Sequence, residues 1–403
     1  MNKLALLLLV ACGKSSSLPP PLKRSVDAGA SRVAALVERL RGTDRMKAIE
    51  ELDSAKLTSD EQLELLRATT LDFKEDNEAF SVRTRMVLAV PPDTREIALI
   101  EELFPKWPKA TQAAGLNLLS RIDHEVAAKA FVRHLPALTD EDPDMVLGGL
   151  HKAPHHAAII VPALVALKGN DEMRYEAVLT LLDYCDAGQI KPPLLADQAA
   201  PLLAEYRHAS RDLASVLLDL FRCIPDEDIA EELTATLANR DPRLVYFAAK
   251  SLAAFGRDIP AATYAKIAAS PEMRMWLIED LEKQGQLAKL PARYRTQVAI
   301  AEAEMVRWLM FPTELGHAPE AIKLGKIVTS MTADGPLDTY VFKLKTEDGW
   351  IAGIAGPYLR KEQPTTHSYG GTFSAFEAWG AKTPEQHAAR IQKIVDDWQR
   401  VRK

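Results

Sequence analysis

Three groups of residues in this chain carry side chains that can do chemistry. His151, His155 and His156 fall in His-Lys-Ala-Pro-His-His, close after the acidic run Asp140-Glu141-Asp142-Pro143-Asp144. A metal needs two or three ligands converging at about 2.0–2.2 Å, which histidines four apart on one helix can supply. Pro154 directly before His155 would break that helix and argues against a shared face, so the stretch is read as a polar loop and no metal ligand is expected. The acidic run lacks the glycine and ligand spacing of a calcium loop and suits helix capping. His367, Ser368, Ser374 and Glu377 gather near Tyr369-Gly370-Gly371, where a hydrolase would need a nucleophile, a base and oxyanion donors. Their spacing is not diagnostic, so no catalytic residue is assigned and a hydrolase stays the alternative function. There is no Walker loop, nucleophile elbow, His-Glu-x-x-His or paired-cysteine motif, and no cofactor is expected.

The third group is the cysteines: Cys12, Cys185 and Cys223. Met1-Asn2-Lys3 gives a positive start, Leu4 to Val10 an apolar run, and Leu9-Val10-Ala11-Cys12 follows at once. That run is far short of the roughly 20 residues a membrane-crossing helix needs, so it is a signal-peptide core. The four-residue end resembles the lipobox of bacterial lipoproteins. The resemblance implies cleavage before Cys12, diacylation of Cys12 and anchoring of the new N-terminus in the cell envelope; Gly13 in the next position favours the outer membrane. Ser15 to Pro21 reads as a tether of flexible serines and extended prolines. Cys185 and Cys223 would then meet an oxidising compartment. They end similar stretches in adjacent repeats, and helices about 8–10 Å apart make two buried free thiols the expectation over a disulfide.

At 403 residues the chain exceeds one ordinary core, and 47% hydrophobic with 26% charged residues describes a soluble globular protein. A formal net charge of −6, with no long basic run, argues against nucleic acid as a partner.

The elements that must position these residues recur along the chain. In Asn239 to Leu252, Asp241 can cap a helix, Pro242 suits the first helical position, and an apolar stripe follows at Leu244, Ala248, Ala249 and Leu252. This stretch resembles the second helix of a HEAT repeat, Asp-Pro-x-Val-Arg-x-x-Ala-Ala-x-Ala-Leu, although Val245 stands where that family has arginine. Copies of graded quality start at 79, 107, 142, 170, 207, 241 and 270, spaced by 28 to 37 residues. That spacing fits two helices and two turns per unit, each needing a neighbour to bury its faces. Arg83, Arg174, Arg211 and Arg274 occupy the frame's arginine; tying turns or neighbouring units is their simplest role, and ligand contact the alternative. The next position points away from the apolar stripe and is filled by Gln112, Leu147, Tyr175, Asp212, Tyr246 and Met275. In HEAT proteins this helix lines the concave face. The resemblance therefore implies a ladder contacting a protein or peptide partner through Gln112, Tyr175, Asp212, Tyr246 and Met275, unless these side chains pack on a neighbour or meet solvent.

From Lys323 the pattern turns to strands: Lys323 to Met331, Tyr340 to Lys345 and Trp350 to Ile354, with turns at Asp334-Gly335-Pro336 and Glu347-Asp348-Gly349. Tyr340, Phe342 and Leu344 share one face, and Gly353 and Gly356 mark a bend or close approach. Thr383-Pro384-Glu385 opens a helix over Gln386 to Val401 with stripe Ala389, Ile391, Ile394, Val395 and Trp398, expected to lie on the sheet. The fold expected is mainly α: an α-solenoid of HEAT-like helix pairs, then a small C-terminal α+β module with an antiparallel sheet that caps the array. Its parts are a signal peptide (1–11), a lipidated tether (12–30), the repeats (31–311) and the α+β module (312–403). The function expected is a non-catalytic, membrane-tethered scaffold in the cell envelope.

Overall fold

The structure is a computed structural model and describes residues 32–42, 45–73, 81–152, 154–190, 194–332, 334–361, 364, 366, 374–390 and 393. Cys12, the signal peptide, the tether, the repeat start at Ala79-Phe80, His367 and Ser368 lie outside the described residues. Among those described, no helix is long and apolar enough to cross a membrane. The chain divides into two compact units, residues 1–224 and 225–403.

The first unit holds α1 (Arg32–Arg41), α2 (Arg45–Ser54), α3 (Ser59–Ala68), α4 (Val82–Leu88), α5 (Ile97–Leu103), α6 (Lys109–Arg121), α7 (Glu125–His134), α8 (Pro143–Lys152), α9 (Ala157–Ala166), α10 (Asp171–Asp186), α11 (Ala199–Tyr206) and α12 (Arg211–Leu220). Helices two places apart touch along two rows: α1, α3, α5, α7 and α9 form one layer, α2, α4, α6, α8, α10 and α12 the other, and α11 packs on α12. This is the solenoid of helix pairs that the spacing predicts, because a pair alone cannot cover its apolar stripes. Polar starts delimit the helices: the Asn170 side chain accepts from Met173 N–H at 2.8 Å, and Thr58 and Glu61 form a reciprocal capping box. Close approach of α8 to α6 depends on Gly149, where a Cβ would meet Ser120 Oγ at 1.9 Å and the Asn117 carbonyl at 2.7 Å.

Cys185 and Cys223 are joined in a disulfide with Cα atoms 6.3 Å apart, which corrects the expectation of free thiols. The 8–10 Å spacing applies to helix axes. Residues on the facing sides of two helices lie inside those axes by up to about 2.3 Å each, enough to bring the Cα atoms within bonding range.

The second unit holds α13 (Glu227–Thr236), α14 (Pro242–Ala254), α15 (Ala261–Ala269), α16 (Pro271–Lys283) and α17 (Gln297–Leu309), then strands β1 (Ala321–Thr332), β2 (Gly335–Thr346), β3 (Gly349–Leu359) and β4 (Ser374–Ala378). The cap expected at Asp241 is present, its Oδ1 accepting from Arg243 N–H at 2.9 Å, with Pro242 in the first turn. The strands form an antiparallel meander in the order β1-β2-β3-β4, with Phe342 opposite Gly353 and Ala352 opposite Glu377. Gly335 and Gly349 open β2 and β3 with φ of 121° and 120°, values that cost an L side chain strain.

The helix packed on the predicted sheet face is α17. Ala301, Met305, Val306 and Leu309 bury against Tyr340, Phe342, Leu344, Ala355 and Tyr358. The opposite face, with Val341 and Ile354, receives Ala388 from the helical stretch 384–390. There His387 and Ala388 turn inward and Ala389 outward, so the described start of this helix is rotated from the expected stripe. Because α17 shares its core with the sheet, residues from 312 onward belong to the same compact unit as the last repeats.

The disulfide spans 38 residues. Cross-linking over that length removes loop-closure entropy worth about 4 kcal/mol in the chain-entropy model. Reduction, or C185S/C223S, is expected to lower the denaturant midpoint by an amount equivalent to about 2–4 kcal/mol. Urea unfolding with and without reductant measures it, and mass spectrometry of a non-reduced digest should find the two cysteine peptides linked.

Candidate functional site

Side chains left over after the helices have packed are few, and they fall into distinct places. The frame arginines are not among them. Arg174 is buried at the start of α10, with Nε and Nη2 each donating to Glu205 of α11 at 2.7 Å and Nη1 to the carbonyls of Leu164 and Leu167 at 2.8 Å. In the second unit, Arg274 of α16 donates to the carbonyls of Ala268 at 2.7 Å and Ala299 at 2.8 Å, and to Glu302 of α17 at 2.7 Å. Arg83 donates to Thr69 and Leu71 carbonyls at 3.0 Å each. Their structural role is thereby visible, and Arg211, in the same frame, is exposed.

The residues after the arginines do not form an exposed row. Met275 is fully buried and so is Leu147. Tyr246 is buried, its hydroxyl donating to Asp280 Oδ2 at 2.5 Å. Gln112 is half-buried and donates to the Phe104 carbonyl at 2.9 Å. Tyr175 is half-buried and Asp212 exposed. Each second helix is covered by its first helix and also flanked by neighbouring second helices, which leaves a strip narrower than one amphipathic face. On α16 that strip is Glu272, Trp276, Glu279, Asp280 and Lys283, one residue and so about 100° beyond Met275.

The strip on α16 carries an aromatic feature the frame did not single out. Trp276 is 45% exposed, with its ring edge-on to Tyr246 at 6.0 Å and Phe247 at 5.9 Å. Glu279, one turn on, accepts from Arg307 of α17 at 2.5 Å, and beside Arg307 stands Trp308, 37% exposed and 5.2 Å from the ring of Phe311, itself 47% exposed. The signal available in sequence was Trp276 and Trp308 at the polar edge of their helices.

The three histidines separate. His151 is held by α10, with Nε2 3.4 Å from Glu176 and 3.2 Å from Thr180 Oγ1, and Nδ1 bonded to Asp183. Glu176 foremost, then Asp183, raises its pKa above the ordinary histidine value against the opposing effect of burial. His155 and His156 instead meet Asp123 from the loop between α6 and α7, their ligand atoms all within 4.8 Å of one another. Proline separates His151 from the pair, as the sequence reading expects, while a loop carboxylate from another repeat stands beside His155 and His156.

In the second unit, Glu377 on β4 accepts from His387 Nδ1 at 2.5 Å, Lys382 at 2.6 Å and Arg390 at 3.1 Å. Burial works to raise its pKa, but Lys382, His387 and Arg390 outweigh it and hold the carboxyl down at about 2. A carboxylate so engaged is a poor general base. The Ser374 side chain, like His367 and Ser368, lies outside what is described. A cavity of about 230 Å³ near Gln297, Tyr340 and Tyr358 is bordered by Asp338 and Arg360, joined by two bonds of 2.8 and 2.6 Å. Burial pushes the Tyr340 phenol up to about 12 and Tyr358 higher still, so neither ionises near neutral pH.

Two outcomes follow. R174K cannot reproduce the two-pronged contact with Glu205 or reach both carbonyls, and is expected to cost roughly 2–4 kcal/mol in urea unfolding, close to the cost of R174A. For Glu377 the folded value lies below the unfolded one, so its contribution is full above about pH 4.5 and is lost as pH falls toward about 2. E377Q should therefore flatten the acid limb of stability against pH in that window.

No protein-family model matches this chain, and no curated protein and no solved structure matches it significantly, so its function has to be argued from its own geometry.

Proposed function

We propose that this protein is a non-catalytic scaffold of the cell envelope, tethered to the membrane through a lipid on Cys12, that binds a protein or peptide partner on its helical repeats. The observation that carries the binding role is the aromatic surface of α16 and α17. Trp276 on the open strip of α16, and Trp308 and Phe311 at the C-terminal end of α17, stand 37–47% exposed. Large aromatics left in water on an otherwise charged surface are the residue types that anchor interfaces, because each offers much apolar area for little conformational entropy. The edge-on contacts with Tyr246 and Phe247 hold the Trp276 ring in place before a partner arrives. Glu279 and Arg307 beside the rings supply the polar rim such a patch needs for orientation.

The tether rests on the lipobox resemblance at Leu9 to Cys12. The disulfide between Cys185 and Cys223 fits an oxidising compartment outside the cytoplasm. The partner contact moves accordingly from the expected ladder of Gln112, Tyr175, Asp212, Tyr246 and Met275 to the strip one residue further round.

Site-specific photo-crosslinking in intact cells tests this reading. A photoreactive residue in place of Trp276 or Trp308 should give a discrete adduct that one at Lys129, on α7, does not, and W276A/W308A should abolish an adduct trapped from the position of Phe311. Adducts of equal yield from Lys129, or an adduct from Phe311 indifferent to W276A/W308A, would show that this face is not the binding surface.

A further inference from the structure

We propose that Asp123, His155 and His156 form a binding site for a first-row transition-metal dication, zinc above all. Two imidazoles and one carboxylate are the donor set of borderline metals; calcium and magnesium take oxygen ligands and would leave both rings unused. The geometry is close to what such an ion requires. His156 Nε2 lies 3.2 Å from Asp123 Oδ1, and the edge of a tetrahedron with bonds of about 2.0 Å is about 3.3 Å. The two rings stand with centroids 5.1 Å apart and planes at 87°, where two imidazoles sharing one tetrahedral ion place their centroids about 5 Å apart. All three ligand atoms already lie within 4.8 Å of each other, so closure onto an ion needs side-chain adjustments of about 1 Å.

Two further observations point to a ligand. His156 Nε2 is buried and makes no hydrogen bond, although a carboxylate oxygen is 3.2 Å away. A buried ring nitrogen facing an anion without bonding to it is a polar atom that lacks its partner, and a cation between the two satisfies both. His156 also holds φ 51° and ψ 40°, the one non-glycine residue at positive φ among those described. That conformation is costly for a side chain with a Cβ, and here it is what brings consecutive histidines onto one centre. Behind them the Tyr184 hydroxyl donates to the His155 carbonyl at 2.8 Å and fixes the path of the loop. Three protein donors leave a fourth tetrahedral position open to solvent or to a donor from a partner.

The test uses the full chain, purified in detergent without a polyhistidine tag and stripped with chelator. Titration with Co²⁺ should develop the intense visible bands of a tetrahedral site at one equivalent, and Zn²⁺ should displace it. H155A and H156G should each weaken Zn²⁺ binding by at least about tenfold, while H208A, at an exposed position, leaves it unchanged. H156G is the decisive variant, because glycine accepts the left-handed backbone and removes the ligand without disturbing the chain's path. Its Tm in chelator should equal or exceed that of the unaltered chain, and Zn²⁺ should raise the Tm of the unaltered chain but not of H156G. The same zinc-dependent shift in both proteins, or no cobalt band in the unaltered chain, would overturn the site.

Discussion

A buried guanidinium at the head of a second helix is the interaction on which each stack of helices depends. Every helix ends with carbonyls that have no partner within it, and in a two-layer array those ends are covered by the next unit. Arg174 closes the end of α9 through Leu164 and Leu167 while gripping Glu205 on α11. Arg274 does the same between Ala268 at the end of α15 and Glu302 on α17. One side chain thus fixes three helices at once, and only arginine has enough donors in a rigid fork to do so. Taking the charge out of water costs several kcal/mol, which the paired carboxylate and carbonyls offset. The net result is less a gain in stability than a fixed register: a unit displaced along the stack would leave the cation buried without its acid.

Such a stack has to end, and a terminal pair exposes an apolar face. In the second unit the ending is the sheet. No α-helix separates α16 from α17; the intervening chain makes short turns, with Tyr294 lying 4.9 Å under the Arg274 guanidinium. The uncovered side of α17 is met by Tyr340, Phe342 and Leu344, residues that alternate along β2 and so present one face. A meander with both faces buried tolerates the apolar run of β3, where Gly353 lets the strand come within reach of Met305 and Leu344.

Periodicity and turn chemistry carried the fold: the helix pairs, the antiparallel hairpins at Gly335 and Gly349, and the Asp241 cap are all local patterns with a single physical outcome. The frame arginines were legible from the local motif that carries them, although their partners sit at different offsets, 10 and 7 residues back for Arg174 but 6 back for Arg274. What failed depended on distances between segments far apart in the chain. The spacing of helix axes misjudged Cys185 and Cys223, a rotation of about 100° misplaced the open strip, and nothing near His155 announced Asp123. The C-terminal helix misled through its first turn, where His387 takes the inward position that Ala389 was expected to hold, drawn by Glu377 on β4.

Consistency between levels offers a way to separate scaffold from function. Much of the chain obeys the local rules together: side-chain caps open α3, α10 and α14, the apolar stripes are covered, and Arg174 and Arg274 are paired with carboxylates. Two places do not. In one unit a histidine holds a backbone conformation that glycine or asparagine would adopt more cheaply, with its ring nitrogen left unbonded. In the other, tryptophan stands in water on a helix where glutamate or lysine would fold as well. Edge-on contacts with Tyr246 and Phe247 offset only part of the second departure, leaving Trp276 45% exposed. The return proposed for each lies outside the folded chain, in a cation at His156 and in a partner surface at Trp276.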